Sequence, residues 1–168
     1  MFSCVKHVDF SQVEDFSAEP IIETSLVYYT LNQVDFFDVV NSVEVVTPIT
    51  DTSGFTVLKS KFVNENLIRA ELNFDVNNQF NRRFTVNIVF LDDNDIETHK
   101  FNPIIVTEND NNFNHKESIN ISNNQLFLSS TKVSVSIELS PSSDGSVIDP
   151  NVEQQLEFKS SGIFYLKT

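Results

Sequence analysis

The side chains in this sequence that could do chemistry are few and scattered. His7, His99 and His115 are the only imidazoles. Nucleophilic catalysis needs a serine, threonine or cysteine set by a base that a third group orients in turn, and no glycine-framed elbow accompanies any of the three. Each histidine therefore reads as a solvated residue: His7 in an N-terminal tether, His115 in a loop and His99 beside Lys100 on a strand face. Gly54, Gly145 and Gly162 stand far apart, which leaves no tight loop to cradle a phosphate. Paired carboxylates are abundant, and abundance makes them uninformative as an acid and base. The expectation is a protein that is not an enzyme.

Hard oxygen ligands offer a second chemistry. Asp92, Asp93, Asn94, Asp95 and Glu97 occupy one turn, and Glu108, Asn109 and Asp110 another, so Asp92, Asp93, Asp95 and Asp110 are candidate ligands for Ca²⁺. Their spacing is not that of a helical calcium loop, and Asn and Asp are also what turns use without any metal. No other cofactor is suggested. A third chemistry is aromatic. Phe36 and Phe37 sit between Asp35 and Asp38, where they either plug the end of a sandwich or form an exposed contact patch for a partner. With Tyr28 and Tyr29 they are also candidates to stack on sugar rings, although the chain has no tryptophan.

Cys4 is the lone cysteine, so neither an intrachain disulfide nor a paired-cysteine zinc site can form. An apolar residue and a serine before a cysteine is how a bacterial lipoprotein signal peptide ends. Met1 to Ser3 then read as a signal-peptide remnant and Cys4 as the lipid-bearing residue, which makes the protein membrane-anchored through a lipid and not spanning. The alternative is an incidental thiol near a frayed start. The net charge of −13 is spread along the chain, and without a basic face nucleic acid is not an expected partner.

These residues must be positioned by β structure. Residues 1–20 show no period and read as remnant, lipidated cysteine and flexible tether; 21–168 read as one domain. Strand candidates begin with 21–31, apolar on both parities, with Tyr28 and Tyr29 anchoring the core. A brief strand follows at Val43, Val45 and Val46. Residues 51–54 supply turn residues ahead of 55–62. The clearest signals are Ile68, Ala70, Leu72, Phe74 and Val76, then Phe84, Val86, Ile88 and Phe90, each in strict alternation with polar residues. The short polar link between the two predicts a hairpin.

Pro103 breaks 96–106 and marks an edge or a crossing. Leu126, Phe127 and Leu128 read as one helical turn, Val133 to Leu139 alternate again, and the last strand, 156–167, carries Gly162 as a bulge. About seven to nine antiparallel strands, with turns about every 8 to 12 residues, give an all-β fold. An immunoglobulin-like Greek-key β-sandwich is the first expectation and a closed barrel the alternative. With 16 phenylalanines, its core is expected to be built on phenyl rings.

Phe2-Ser3-Cys4, Val8-Asp9-Phe10-Ser11-Gln12 and the run from Pro20 to Tyr29 resemble small envelope lipoproteins of the Bacteroidota, the flavobacterial kind especially. The resemblance implies a β-sandwich and a place in the cell envelope, with no known activity. Surface-exported members carry an acidic run after the cysteine; Val5, Lys6 and His7 stand there instead, which favours an outer-membrane protein facing the periplasm. The expected role is non-catalytic, a protein-interaction or accessory subunit binding another envelope protein. The alternative is a carbohydrate-binding or adhesin module, with calcium assisting in the acidic turns.

Overall fold

A computed structural model of the protein describes residues 20–167. The described residues form β1 (Ile21–Asn32), β2 (Phe37–Asp38), β3 (Val43–Glu44), β4 (Ile49–Gly54), a short helix α1 (Lys61–Asn66), β5 (Leu67–Asn78), β6 (Phe84–Leu91), β7 (Glu97–Lys100), β8 (Ile104–Val106), β9 (Phe113–Asn120), β10 (Lys132–Leu139) and β11 (Gln155–Leu166). One sheet has the order β1-β11-β5-β9 and the other β4-β10-β6-β7, with β8 beside β7 on the same edge of β6. Strands β2 and β3 make a small separate flap.

The alternation seen in the sequence is what packs the two layers. Ala70, Leu72, Phe74 and Val76 of β5, Phe84 to Phe90 of β6, and Val133 to Leu139 of β10 turn every second side chain into one shared core. Eight of the largest fully buried side chains are phenylalanines, each contributing about 1.5–3 kcal/mol by leaving water. Rings meet across the layers, as Phe55 with Phe164 at 6.1 Å and Phe74 with Phe101 at 5.9 Å. The molecule is an all-β sandwich, and no barrel closes.

The winding refines the immunoglobulin-like expectation. Ile21 pairs with Tyr165, Ile49 with Ile137, Ala70 with Ile119 and Val89 with Lys100, so that every pair is centred on the turn at Asp92–Asp95. The chain is in effect one long hairpin, folded at that turn and rolled so that its paired strands alternate between layers. This is the jelly-roll form of a Greek-key sandwich. Nearly all its pairings are remote in sequence, which predicts slow folding.

Four local expectations are corrected. β5 and β6 lie in different sheets and make no hairpin, because Asn78 and Phe80 in the link are fully buried and draw it across the end of the core. Ile68 faces out and Leu67 faces in, since a register shift opposite Tyr165 and Leu166 changes the parity. Residues 51–54 belong to β4, and 55–62 form a 3-10 turn and the start of α1. The bulge near the C-terminal strand lies in β1, between Ser25 and Tyr28, not at Gly162. A Cβ at Gly162 would sit 2.7 Å from the Phe164 ring, so glycine is there to let that ring lie flat against the strand. Pro103 does mark an edge, parting β7 from β8, and Gln125–Ser129 is a single 3-10 turn around buried Phe127. No helix among the described residues is long and apolar enough to cross a membrane.

Candidate functional site

The most unusual side chain placement lies where the chain passes from β5 to β6. Asn78 is fully buried, and its amide donates to Arg82 O (2.8 Å) and Thr107 O (2.7 Å) while its Oδ1 accepts from Phe80 N (2.9 Å). These bonds aim Arg82 inward, to 4% exposure. Its guanidinium grips both oxygens of Glu44, Nη2 at 2.8 Å from Oε2, and donates to Ser146 O (3.1 Å) and Ser140 O (3.0 Å). Glu44 also accepts from Ile148 N (2.8 Å). Burial alone would raise its carboxyl, but the hydrogen bonds from Arg82 and Ile148, with the charge of Arg82, outweigh burial and hold it below the ordinary carboxylate value. One ion pair thus ties the β2–β3 flap, the β5–β6 corner and the loop 140–154 into a single rigid end.

The flap itself is equally fixed. Phe37 pairs with Glu44 and Asp38 with Val43, and Val45 N donates to Phe36 O (2.9 Å). Asp38 accepts from the Asn41 side chain and from Asn41 N and Val40 N, which lowers its pKa and closes the tip; Ser42 completes the turn at φ 54°. Phe36 is 1% exposed and packs on Phe80 and Phe84, so it plugs the end of the sandwich and cannot take part in the exposed aromatic patch, and Phe37 is only half-exposed. The side chains left outside are valines. Val40 is 92% exposed and Val39 63%, and Val34, Val43 and Val46 on the flap, with Val147 and Val152 on the neighbouring loop, are each more than half exposed. Gln33 binds Pro150 O and Gln154 N, which joins these two segments directly.

Sequence reading missed both the clamp and the valines. Its signal was there: between 34 and 46 valine is too frequent for a solvated loop and follows no strand period. Buried Arg82 gave no signal, because only its partner across the fold makes it burial-competent.

The other candidates are placed apart. Asp92, Asp93 and Asp95 lie at the far end of β6 from Asp110, about 24 Å away at 3.4 Å per residue. Asp92 caps Asn94 N and Ile96 N, Asp95 pairs with Lys132 Nζ at 2.6 Å, and Asp110 caps Asn112 N. Among the described residues no three His, Cys, Asp or Glu side chains gather on a point, and the two acidic turns stand apart.

His99 and His115 are not freely solvated. Both take the inward parity, His115 against Phe74 with Nε2 2.8 Å from Glu117, His99 against Phe101 and Phe127. Tyr28 faces out at 62% exposure instead of anchoring the core, whereas Tyr29 stacks on Phe158, where burial first and the Asp51 charge second push its hydroxyl well above the ordinary value. A shallow groove of about 540 Å³ crosses the outer face of the same sheet, lined by Glu71, Asn73, Asn114 and Lys116 among others. Cys4 and His7 lie outside the described residues.

No family model and no curated protein matches the chain. Among solved structures it is similar to a Parabacteroides distasonis protein thought to be secreted, with a TM-score of 0.53 and 11% identity over 70% of this chain and 38% of that one. A looser likeness, from which nothing follows for this chain, joins it to the VP2 subviral particle of infectious bursal disease virus, with a TM-score of 0.48 and 9% identity over 88% of this chain and 32% of that one. The first likeness shows a shared fold. The chain spans well under half the length of either protein.

Proposed function

We propose that this protein is a non-catalytic, protein-binding module of the bacterial cell envelope, which docks on another envelope protein through the valine-bearing end of its sandwich. The observation that carries this reading is the exposure of Val39 and Val40 on a flap that is itself locked to the core by Glu44 and Arg82. Large exposed apolar surface is costly to solubility and marks interaction sites, and a surface that is rigid before binding has little ordering entropy to lose. The finer placement is a lipid on Cys4 that anchors the chain to the outer membrane, facing the periplasm. It is supported by Phe2-Ser3-Cys4, by the resemblance to Bacteroidota envelope lipoproteins, and by a fold shared with a Bacteroidota protein thought to be secreted.

Photo-crosslinking in cells tests the docking reading. A photoreactive residue at Val40 is expected to give a discrete protein adduct, and one at Leu126, exposed at the opposite end, is not. Equal adducts from both positions, or none from either, count against it. Labelling with an alkyne fatty acid, lost in Cys4→Ser, tests the anchor. A second reading, glycan binding, is favoured by the groove beside Glu71, Asn73 and Asn114 on the face that also exposes Tyr28. A glycan array that stays blank for the wild type with and without a chelator disposes of it.

A further inference from the structure

The flap and the loop beside it are as one-sided in charge as they are apolar, and the exposed cation of the adjoining β5–β6 corner, Arg83, faces Glu108. No lysine or arginine occurs in residues 33–58 or in 133–158, the stretches that supply the flap, β4 and the loop 140–154. The acids there are Asp35, Asp38, Glu44 and Asp51 in the first, and Glu138, Asp144, Asp149, Glu153 and Glu157 in the second. Among the described residues, only Glu44 of the flap and loop acids has a basic partner, the buried Arg82. Asp35, Asp38, Asp144 and Asp149 spend their bonds on neighbouring backbone N–H groups, which carry no full positive charge: Asp35 on Asn32 N (2.7 Å), Asp144 on Ser146 N (2.9 Å) and Asp149 on Asn151 N (2.9 Å). Hydrogen bonds from Ser146 and Ser142 lower Asp144, and those from Asn41 lower Asp38.

We propose that the occupant of this end is a protein surface with an aliphatic centre ringed by lysine and arginine. This rests on the docking reading above and adds the partner's chemistry. The carboxylates sit on the same two segments as the valines, as a polar rim surrounds an interface core. Unpaired, they repel one another; a basic rim removes that repulsion and speeds encounter at low ionic strength. Other occupants fit worse. A second copy of this chain would press carboxylates on carboxylates around the same valines, and an anionic bilayer would repel the rim before the valines reached its apolar layer.

The test uses the full chain and a random peptide library displayed on phage, selected on wild type and counter-selected on Val39→Ser/Val40→Ser, with thermal unfolding confirming that the variant is folded. The expected winners hold an aliphatic centre flanked by Lys or Arg. As synthetic peptides they should bind the double serine variant at least about tenfold more weakly. They should also lose affinity for Asp149→Asn/Glu153→Gln by about three- to tenfold, mostly in the association rate and mostly at low salt.

Valine-dependent winners with neutral or acidic flanks would overturn the proposed rim while leaving the docking reading intact. Failure to enrich any valine-dependent sequence would overturn both. Vesicles of phosphatidylcholine, floated with wild type and the double serine variant, supply a control: valine-dependent flotation would show that the end takes lipid and would also overturn the proposal. Dimerisation of the wild type that Val39→Ser/Val40→Ser abolishes would overturn it in favour of a second copy.

Discussion

At the end of the sandwich next to the Asp92–Asp95 turn, Phe55, Phe90 and Phe127 pack with centroids 5.0 to 5.7 Å apart. At the opposite end Phe36, Phe80 and Phe84 pack almost alike, 5.1 to 5.6 Å apart. What covers the two triads is different. Over the first, a 3-10 turn and α1 insert Leu58 and Val63, and Asn64 pins α1 by donating to Leu58 O and Leu128 O. Over the second lie Glu44, Arg82, Asn78 and three loops. A lid built of hydrocarbon covers the core with apolar side chains such as Leu58 and Val63, although Phe62, Ile96 and Leu126 at the same end stay more than half exposed. A lid built of charges and amides fixes its backbone without them, and is left free to turn its valines to solvent.

The comparison is broken most sharply by truncating each lid. Phe127→Ala is expected to cost about 4 kcal/mol, as transfer and cavity terms add. Hydrogen exchange at the flap amides of 38–46 should lag behind this global loss. Arg82→Met is expected to cost about 3 kcal/mol, because Glu44 is left half-desolvated without its partner, and here the flap amides should exchange faster than the rest of the protein. Urea unfolding with residue-resolved exchange reads both. Flap exchange that tracks global stability equally in the two variants would mean that the ends are one cooperative unit and the distinction is empty. Glu44→Leu combined with Arg82→Met should recover part of the loss, since a buried pair replaced by hydrocarbon is often near neutral.

A smaller effect separates the amide from the ion pair. Asn78→Ala removes two donated bonds and leaves Phe80 N without its acceptor in a fully buried corner, for an expected loss of about 1–3 kcal/mol. Its signature is a shared one: Asn78 holds both Arg82 O and Thr107 O, so exchange should quicken at the flap and at the loop 107–112 together. A neutral substitution would show that Arg82 reaches Glu44 without that support.

How much of this was legible follows from what each residue needs. The core of β5, β6 and β10 could be read because alternation is local: a strand half-buried against one face writes its exposure into every second residue. Phe127 could be read for a similar reason, being one apolar turn inside a polar stretch. The rolling of the strands could not, because alternation says which side faces inward and not which strand lies alongside. That choice was made by Asn78 and Phe80, whose burial turns an apparent hairpin into a crossing. Phe36 and Phe37 illustrate the same limit. Their place at the end of the sandwich was readable, but which ring would plug it depended on Phe80 and Phe84, far along the chain, and the valines that stay outside became a site only once Glu44 met Arg82. The two acidic turns were legible as turns, and they stand at opposite ends of β6.

The two lids should also respond to different pH, and this sharpens the comparison with the smallest effect. His99 lies against Phe101 and Phe127 at the hydrocarbon-sealed end; its burial lowers its pKa, only partly opposed by the charges of Glu117 and Glu97. Above the ordinary imidazole value of 6.5 the ring is neutral in both states and costs nothing. As pH falls through 6.5 the unfolded chain takes up a proton that the folded one resists, so stability declines until the folded value is passed. Glu44, lowered in the folded state, contributes stability above its ordinary value of 4.5 that is lost only as pH falls through the folded value. Between pH 7.5 and about 5.5 the decline should therefore belong to His99, be small because the ring is half-exposed, and vanish in His99→Gln. Flap exchange, which answers to Glu44, should stay flat over that range relative to the amides around Phe127. Urea midpoints of wild type and His99→Gln across the range decide it: parallel curves would mean that the imidazole is as well solvated in the folded protein as in the unfolded one.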